Sequence, residues 1–235
     1  MRSSITEIIV CELCKQRLRV PKAVGEIRVK CSRCGYRFLC DTGKKLQYQI
    51  VDVEQGTSCW HKWRDGGLGA SDAPAIMGEN PWKSRDMLMS EKLGAVRPFP
   101  NQAMKRGSAL EPEARMCYER VKGITFRPLC VESVERPWMR ASLDGLSING
   151  QCVVEIKCGT SVYKYTAKNQ KPPRYYIGQL QHILAITGLT EVDFWCYLPE
   201  ERPVHLIVPR NDQYIRDLLI KEELFWNDFS RERNR

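Results

Sequence analysis

Two groups of residues have types and spacings suited to chemistry. The first is Asp144 with Glu155-Ile156-Lys157. Side chains alternate along a strand, so Glu155 and Lys157 share one face and Ile156 points to the other. Asn149-Gly150 lies between the acids and is a strong hairpin signal. A tight hairpin there would bring Asp144 and Glu155 to one point. Clustered carboxylates repel unless a cation lies between them, and oxygen-only donors favour Mg²⁺ or Mn²⁺. A lysine beside such an ion can orient or help deprotonate a water, or neutralise charge developing on a phosphate. That is the chemistry of phosphodiester hydrolysis. Alone, Glu-x-Lys reads more simply as an exposed ion pair. The surrounding set shifts the balance: Glu111 lies in the helical stretch before the strands, and Tyr176-Ile-Gly-Gln179-Leu-Gln181 in the one after them.

The second group is Cys11-Glu-Leu-Cys14, followed after sixteen residues by Cys31-Ser-Arg-Cys34. Two CxxC knuckles at this spacing suit a four-thiolate Zn²⁺ site. Residues 17–20, 26–30 and 36–39 read as short strands around it. So small a unit cannot bury an adequate core, and zinc would supply much of its folding energy. The competing reading is scattered buried cysteines or a redox pair. Cys40 is a spare thiol, and Cys117, Cys130, Cys152, Cys158 and Cys196 read as small packed side chains.

The elements that must position these residues follow from caps and periodicity. Ser71 is expected to cap a helix to about Met77, and Ser84 one through Leu93 that stops at Gly94. A longer helix is expected from about Gln102 to Val121, with Gly123 as terminator. Residues 124–157 read as a strand meander with turns at Asp144-Gly145 and Asn149-Gly150. A helix over about 173–187 ends at Gly188, strands follow at 191–197 and 204–208, and a last amphipathic helix spans about 211–229. No internal repeat is evident. The expected domains are a zinc ribbon over 1–45, a linker over 46–58 and an α/β catalytic domain over 59–235.

The chain has 235 residues, 43% of them apolar and 28% charged, as in ordinary soluble domains. Its 37 basic against 28 acidic residues leave a net charge of +9. This suits a polyanionic partner such as DNA without proving one. No run approaches the ~20 apolar residues of a membrane span. The N-terminus lacks a signal-peptide pattern, so a cytoplasmic protein with no membrane partner is expected. His61, His182 and His205 are too dispersed for a histidine metal site, although His182, beside Gln181, could touch substrate. Lys164, Lys168, Lys171 and Arg174 read equally well as a solvated helix face or as a basic approach to Tyr176.

Five segments, taken in order, resemble the lambda exonuclease and YqaJ-type viral recombinase family of the PD-(D/E)XK nuclease superfamily. They are residues 53–77 (VEQGTSCWHKWRDGGLGASDAPAIM), Gly107…Leu-Glu111, Ser142-Leu-Asp144-Gly145, Glu155-Ile-Lys157-Cys158 and Tyr176…Gln179-Leu-Gln181. The resemblance spans about residues 53 to 210. It implies a restriction-endonuclease-like mixed sheet flanked by helices, and a Mg²⁺-dependent deoxyribonuclease. Asp144 and Glu155 then resemble its metal ligands, with the backbone carbonyl of Ile156 as a third. Glu111 resembles the carboxylate that binds a second ion or its water. Lys157 resembles the lysine that positions the attacking water, and Gln179 and Tyr176 resemble groups supporting the site. Arg64, Ser71 and Ser142 match positions that hold a 5′-phosphate. Leu143 stands where the family often has proline before Asp-Gly, and the ribbon is an addition to the pattern. An exonuclease acting on duplex ends in recombination or DNA defence is the leading expectation. An endonuclease guided by the ribbon and a non-catalytic DNA-binding adaptor are the alternatives. A protein partner docked by the ribbon, a homo-oligomer and the polarity of digestion stay open.

Overall fold

The computed structural model describes residues 6–21, 25–41, 43, 47–96 and 102–234. Residues 1–5, 22–24, 42, 44 and 45 of the expected ribbon, and residue 46 of the expected linker, lie outside that set. The chain divides into two compact units, Met1–Gln47 and Tyr48–Arg235.

The first unit is two antiparallel hairpins, β1 (Thr6–Val10) with β2 (Arg17–Pro21) and β3 (Glu26–Lys30) with β4 (Arg37–Asp41). Each CxxC makes the turn of its hairpin. Cys11 N–H donates to Gln16 O and Lys15 N–H to Cys11 O, and twenty residues later Cys31 N–H donates to Tyr36 O and Gly35 N–H to Cys31 O. Both turns close through a left-handed residue, Lys15 (φ 59°) and Gly35 (φ 75°). The unit is therefore an internal repeat, which corrects the sequence expectation of none. What the halves share is a cysteine pair, the arginines Arg17 and Arg37, and alternating apolar positions, too little to register as similarity. Strand β1 also went unforeseen.

The second unit contains, in chain order, β5 (Tyr48–Val51), α1 (Ser58–Asp65), β6 (Leu68–Gly69), a 3₁₀ turn (Ala70–Asp72), α2 (Ala73–Ile76), α3 (Arg85–Lys92) and α4 (Gln102–Lys122). It continues with β7 (Phe126–Ser133), β8 (Met139–Ser147), β9 (Val153–Lys157), α5 (Thr160–Asn169), α6 (Arg174–Thr187), β10 (Glu191–Cys196), β11 (Val204–Pro209) and α7 (Asp212–Arg233). The sheet order is β11-β10-β9-β8-β7-β5, with β6 on β8. The β9/β10 and β6/β8 pairs are parallel and the rest antiparallel. This is the expected mixed sheet with helices on both faces. On one face Ala114 and Tyr118 of α4 pack against Val154, Ile156 and Trp195. On the other, Leu180, Ile183 and Leu184 of α6 pack against Val153, Phe194 and Cys196. Each such aliphatic side chain contributes about 1.5–3 kcal/mol on burial, which fixes both helices firmly to the sheet.

Three local expectations are corrected. Within the stretch read as a linker, residues 48–51 form an edge strand on β7. Ser71 caps no helix; it sits inside the 3₁₀ turn, and α2 follows Asp72. The last helix runs on to Arg233, where Arg231 pairs with Asp228 and Arg233 lies over the Phe229 ring.

The expected turn at Asp144-Gly145 is a β-bulge instead. Arg127 pairs with Leu146 and Leu129 with Leu143, so Asp144 and Gly145 together oppose Pro128 alone. Proline has no N–H for the ladder and is tolerated at such a place. Leu143 and Leu146, three residues apart, consequently pack into one core cluster. Gly145 is required by closeness, since a Cβ there would stand 2.8 Å from Val154 Cγ1 and 3.1 Å from Phe126 Cβ. Beyond the pairs Gly145↔Val154 and Leu146↔Val153 the two strands part. The hairpin that joins them turns at Asn149-Gly150, where Gly150 has φ 71°.

Candidate active site

The fork between β8 and β9 gathers the acidic residues. Asp144 Oδ2 accepts a 2.7 Å hydrogen bond from Ile156 N–H across the gap. Arg115 Nε donates to Asp144 O at 2.5 Å, clamping the bulge from α4. Glu155 is 1% exposed. Its Oε1 accepts from Lys157 Nζ and from Gln179 Nε2, both at 2.5 Å. Its Oε2 is buried with no hydrogen-bond partner. Lys157 Nζ also lies 4.9 Å from the centre of the Tyr176 ring. Glu111 reaches the fork from α4, near enough to the Asp144 carboxyl for the two negative charges to oppose each other. The structure thus brings together Glu111, Asp144, Glu155, Lys157, Tyr176 and Gln179.

The electrostatics follow from that crowding. Burial, and then the charge of Asp144, pushes the Glu111 carboxyl up to about 9. The same two causes push Glu155 up to about 7, against the pull of Lys157 and Gln179. For Lys157 burial acts downward, but Glu155 and Asp144 outweigh it and hold the ammonium above its ordinary range. An orphaned carboxylate oxygen costs free energy in a buried site, and Glu155 Oε2 is one beside two further carboxyls. A hard divalent cation fits these donors.

Arg64, Ser71 and Ser142 meet around Trp60. Arg64 donates to Ser71 Oγ at 2.6 Å and its guanidinium sits 5.1 Å from the Trp60 ring centre. Trp60 Nε1 donates to Ser142 Oγ at 2.7 Å. Ser142 precedes Asp144 by two residues on β8, about 7 Å along an extended strand. Beneath them the buried Asp72 accepts from Gly69 N–H and pairs with Lys92 at 2.9 Å. Burial alone would raise the Asp72 carboxyl, but Lys92 and Arg64 hold it below the usual range.

Residue-by-residue reading of the sequence missed Trp60, Arg115 and Lys92. Arg115 stands four residues after Glu111, hence on the same helix face, and that spacing could have found it. Lys92 carries no local signal. His182 is corrected: it is fully buried and engaged within the protein, with Nδ1 2.6 Å from Glu222 Oε1 and Nε2 3.0 Å from Arg140 O. A carbonyl only accepts, so Nε2 carries a proton, and a second proton lies between His182 and Glu222. His205 instead pairs with Asp193 Oδ1 at 2.6 Å, and the other oxygen of Asp193 pairs with Lys122 of α4 at 3.0 Å.

In the first unit the sulfurs of Cys11, Cys14, Cys31 and Cys34 all lie within 4.8 Å of one another. Cys11 Sγ is 3.7 Å from Cys34 Sγ, and Cys14 Sγ 3.6 Å from Cys31 Sγ. A tetrahedral zinc with ~2.3 Å bonds needs sulfurs about 3.8 Å apart. The backbone amides of Cys34 and Arg33 hold the Cys31 thiol below its ordinary range, against the opposing effect of burial. Among the described residues this is the one group of three or more such ligands drawn so tightly together. The three carboxylates at the fork stand farther apart.

Residues 59–190 match the YqaJ-like viral recombinase domain. The chain belongs to this family. The YqaJ-family chain is 28% identical over 195 residues to the uncharacterized protein YqaJ of Bacillus subtilis (strain 168), and the match covers 80% of the chain. It spans 60% of that relative's length. Among solved structures it is similar to the alkaline exonuclease LHK-Exo of Laribacter hongkongensis, with TM-score 0.68 and 28% identity over 76% of this chain and 95% of that one. LHK-Exo in complex with dAMP gives the same TM-score at 27% identity, with the same coverage. A phage-related exonuclease from Haemophilus somnus 129PT, 13% identical at TM-score 0.55 over 70% of this chain and 94% of that one, shares the fold.

No helix among the described residues is long and apolar enough to cross a membrane.

Proposed function

We propose that this YqaJ-family chain is a divalent-cation-dependent DNA nuclease that degrades duplex from its ends. The observation that carries the reading is the partnerless, buried Glu155 Oε2 in a fork shared with Glu111, Asp144 and Lys157. Glu111, Asp144, Glu155 and the Ile156 carbonyl would hold Mg²⁺ or Mn²⁺. When bound, the cation supplies Lewis-acid polarisation of the scissile phosphate and acidifies water. Lys157, kept protonated by Glu155, orients the attacking water and offsets charge growing on the phosphoryl oxygens. Gln179 and Tyr176 hold Glu155 and Lys157 in place for that role. Water adds to phosphorus, the bond to the departing sugar oxygen breaks, and one product keeps the phosphate.

Arg64, Ser71 and Ser142 form the anchor for a terminal 5′-phosphate, and Arg64 suits it as a forked donor. An anchor about 7 Å along β8 from Asp144 favours ends over internal positions. Similarity to an exonuclease solved with dAMP supports the same reading. The four thiols of the first unit hold a structural Zn²⁺.

The test uses Mg²⁺ with 5′-phosphorylated linear duplex and with the same DNA as a covalently closed circle. Loss of the linear form alone is expected. Cutting of the circle would make the protein an endonuclease, and binding without hydrolysis in both Mg²⁺ and Mn²⁺ would make it an adaptor.

A dependence on pH follows from the carboxyls. Glu111 and Glu155 hold protons more tightly folded than unfolded. In chelator, the stability they confer is therefore complete below the ordinary carboxylate range and lost as pH rises through about 7 and about 9. A cation replaces those protons. Mg²⁺ is expected to raise the Tm, measured by scanning fluorimetry, more near pH 9 than near pH 6. Equal increments would remove the cation from these carboxylates.

A further inference from the structure

Trp82 is 68% exposed, the one exposed tryptophan among the described residues. Its backbone is nevertheless tied on both sides. Asn80 Oδ1 accepts from Trp82 N–H at 2.9 Å and Lys83 N–H at 3.1 Å, and the N–H groups of Glu79 and Asn80 both reach Pro74 O. Lys83 pairs with Glu91, Tyr214 OH donates to Glu79, and Ser84 caps α3. The ring meets Tyr175 edge-on, centroids 4.8 Å apart at 72°. Tyr175 contacts Tyr176 at 4.7 Å, and the Tyr176 ring carries Lys157 Nζ at 4.9 Å. An aromatic path therefore runs in three short steps from solvent to the lysine of the candidate active site.

A rigidly presented indole left in water offers a π-face to a partner. Three features select a nucleobase. The path ends at the phosphodiester chemistry proposed above. The flanking Arg174, 83% exposed in its side chain, and the exposed Lys171 suit phosphates. The nearby acid Glu79 is 8% exposed and already engaged by Tyr214 and Arg174.

We propose that Trp82 is a stacking platform for an unpaired base of the DNA strand entering this site, so that the enzyme selects frayed or single-stranded ends. The proposal rests on the nuclease reading. The path to Lys157 spans at most about four base steps of ~3.4 Å, which limits the stacked base to the terminal few nucleotides.

The test compares wild type, Trp82→Ala and Trp82→Phe on 5′-phosphorylated duplex with about four unpaired terminal nucleotides, intact or with one abasic position at a time. Trp82→Ala is expected to raise KM roughly 5- to 150-fold, the fold equivalent of one base–aromatic stack, with kcat unchanged and Trp82→Phe near wild type. One abasic position should weaken wild type and leave Trp82→Ala unaffected. Equal sensitivity of both proteins at every abasic position overturns the proposal. So does a change in sedimentation mass for Trp82→Ala, which would make the indole a contact between copies of the chain. A wild type that cleaves no DNA would sink the nuclease reading itself. An active wild type with an indifferent Trp82→Ala sinks only this inference.

Discussion

Lys157→Ala is expected to reduce DNA hydrolysis by about 10²–10³-fold or more, the loss typical of removing a group aimed at transition-state charge. The ammonium also serves as the counter-charge of Glu155 Oε1 at 2.5 Å. Without it, Glu155 keeps Gln179 as its partner on Oε1 and faces Asp144 and Glu111 with Oε2 unpaired. Its carboxyl should then titrate still higher. Gln179→Ala removes a hydrogen bond to a charged group and should cost less, about 10- to 100-fold. Single-turnover cleavage of 5′-phosphorylated duplex, with the Tm followed in parallel, separates lost chemistry from lost folding. A Lys157→Ala protein with near-wild-type turnover would take the lysine out of the reaction.

Cys31→Ser, or exhaustive chelation, is expected to unfold residues 6–41 while leaving 48–235 folded. The apolar cluster of the first unit is small: Cys11, Leu18 and Cys31 are buried, with Ile9, Val29 and Phe38 half-covered around them. Structural zinc in comparable small domains binds with about 10–16 kcal/mol of apparent free energy, far above what those side chains can supply. Amide NMR spectra with and without chelator, and zinc content by mass spectrometry, check this. Ribbon signals that stay dispersed in the metal-free protein would show that the hairpins stand on their own.

Much of the candidate site was legible because its residues obey short-range rules. Glu155 and Lys157 share a strand face, and Gln179 and Tyr176 lie one turn apart on α6. The mixed sheet and its flanking helices were expected from the family resemblance that these motifs, in their order, carry. What stayed hidden depends on pairing between distant segments. Asp144-Gly145 has turn chemistry, yet the requirement that Gly145 pass close to Val154 keeps it in a strand. Residues 48–51 look like a connector until β7 offers them an edge. His182 sits one residue from Gln181 on the site's own helix. Only the packing of α7, which brings Glu222, shows that it faces the core. The N-cap signal of Ser71 was a false lead, because Asp72 takes the backbone N–H of Gly69 and the ion pair to Lys92. That leaves the Ser71 hydroxyl for Arg64.

The single residue Pro128, set against the pair Asp144-Gly145, also acts as a proofreader of assembly. A strand slipped by one position would place a residue with no donor opposite a partner that needs one, and would turn Leu129 and Val131 out of the core. Such a misaligned sheet would be penalised twice over before any acid reached the fork. The alignment that delivers Asp144 to Glu155 is thus the one in which both penalties vanish, so the register that builds the core also builds the fork.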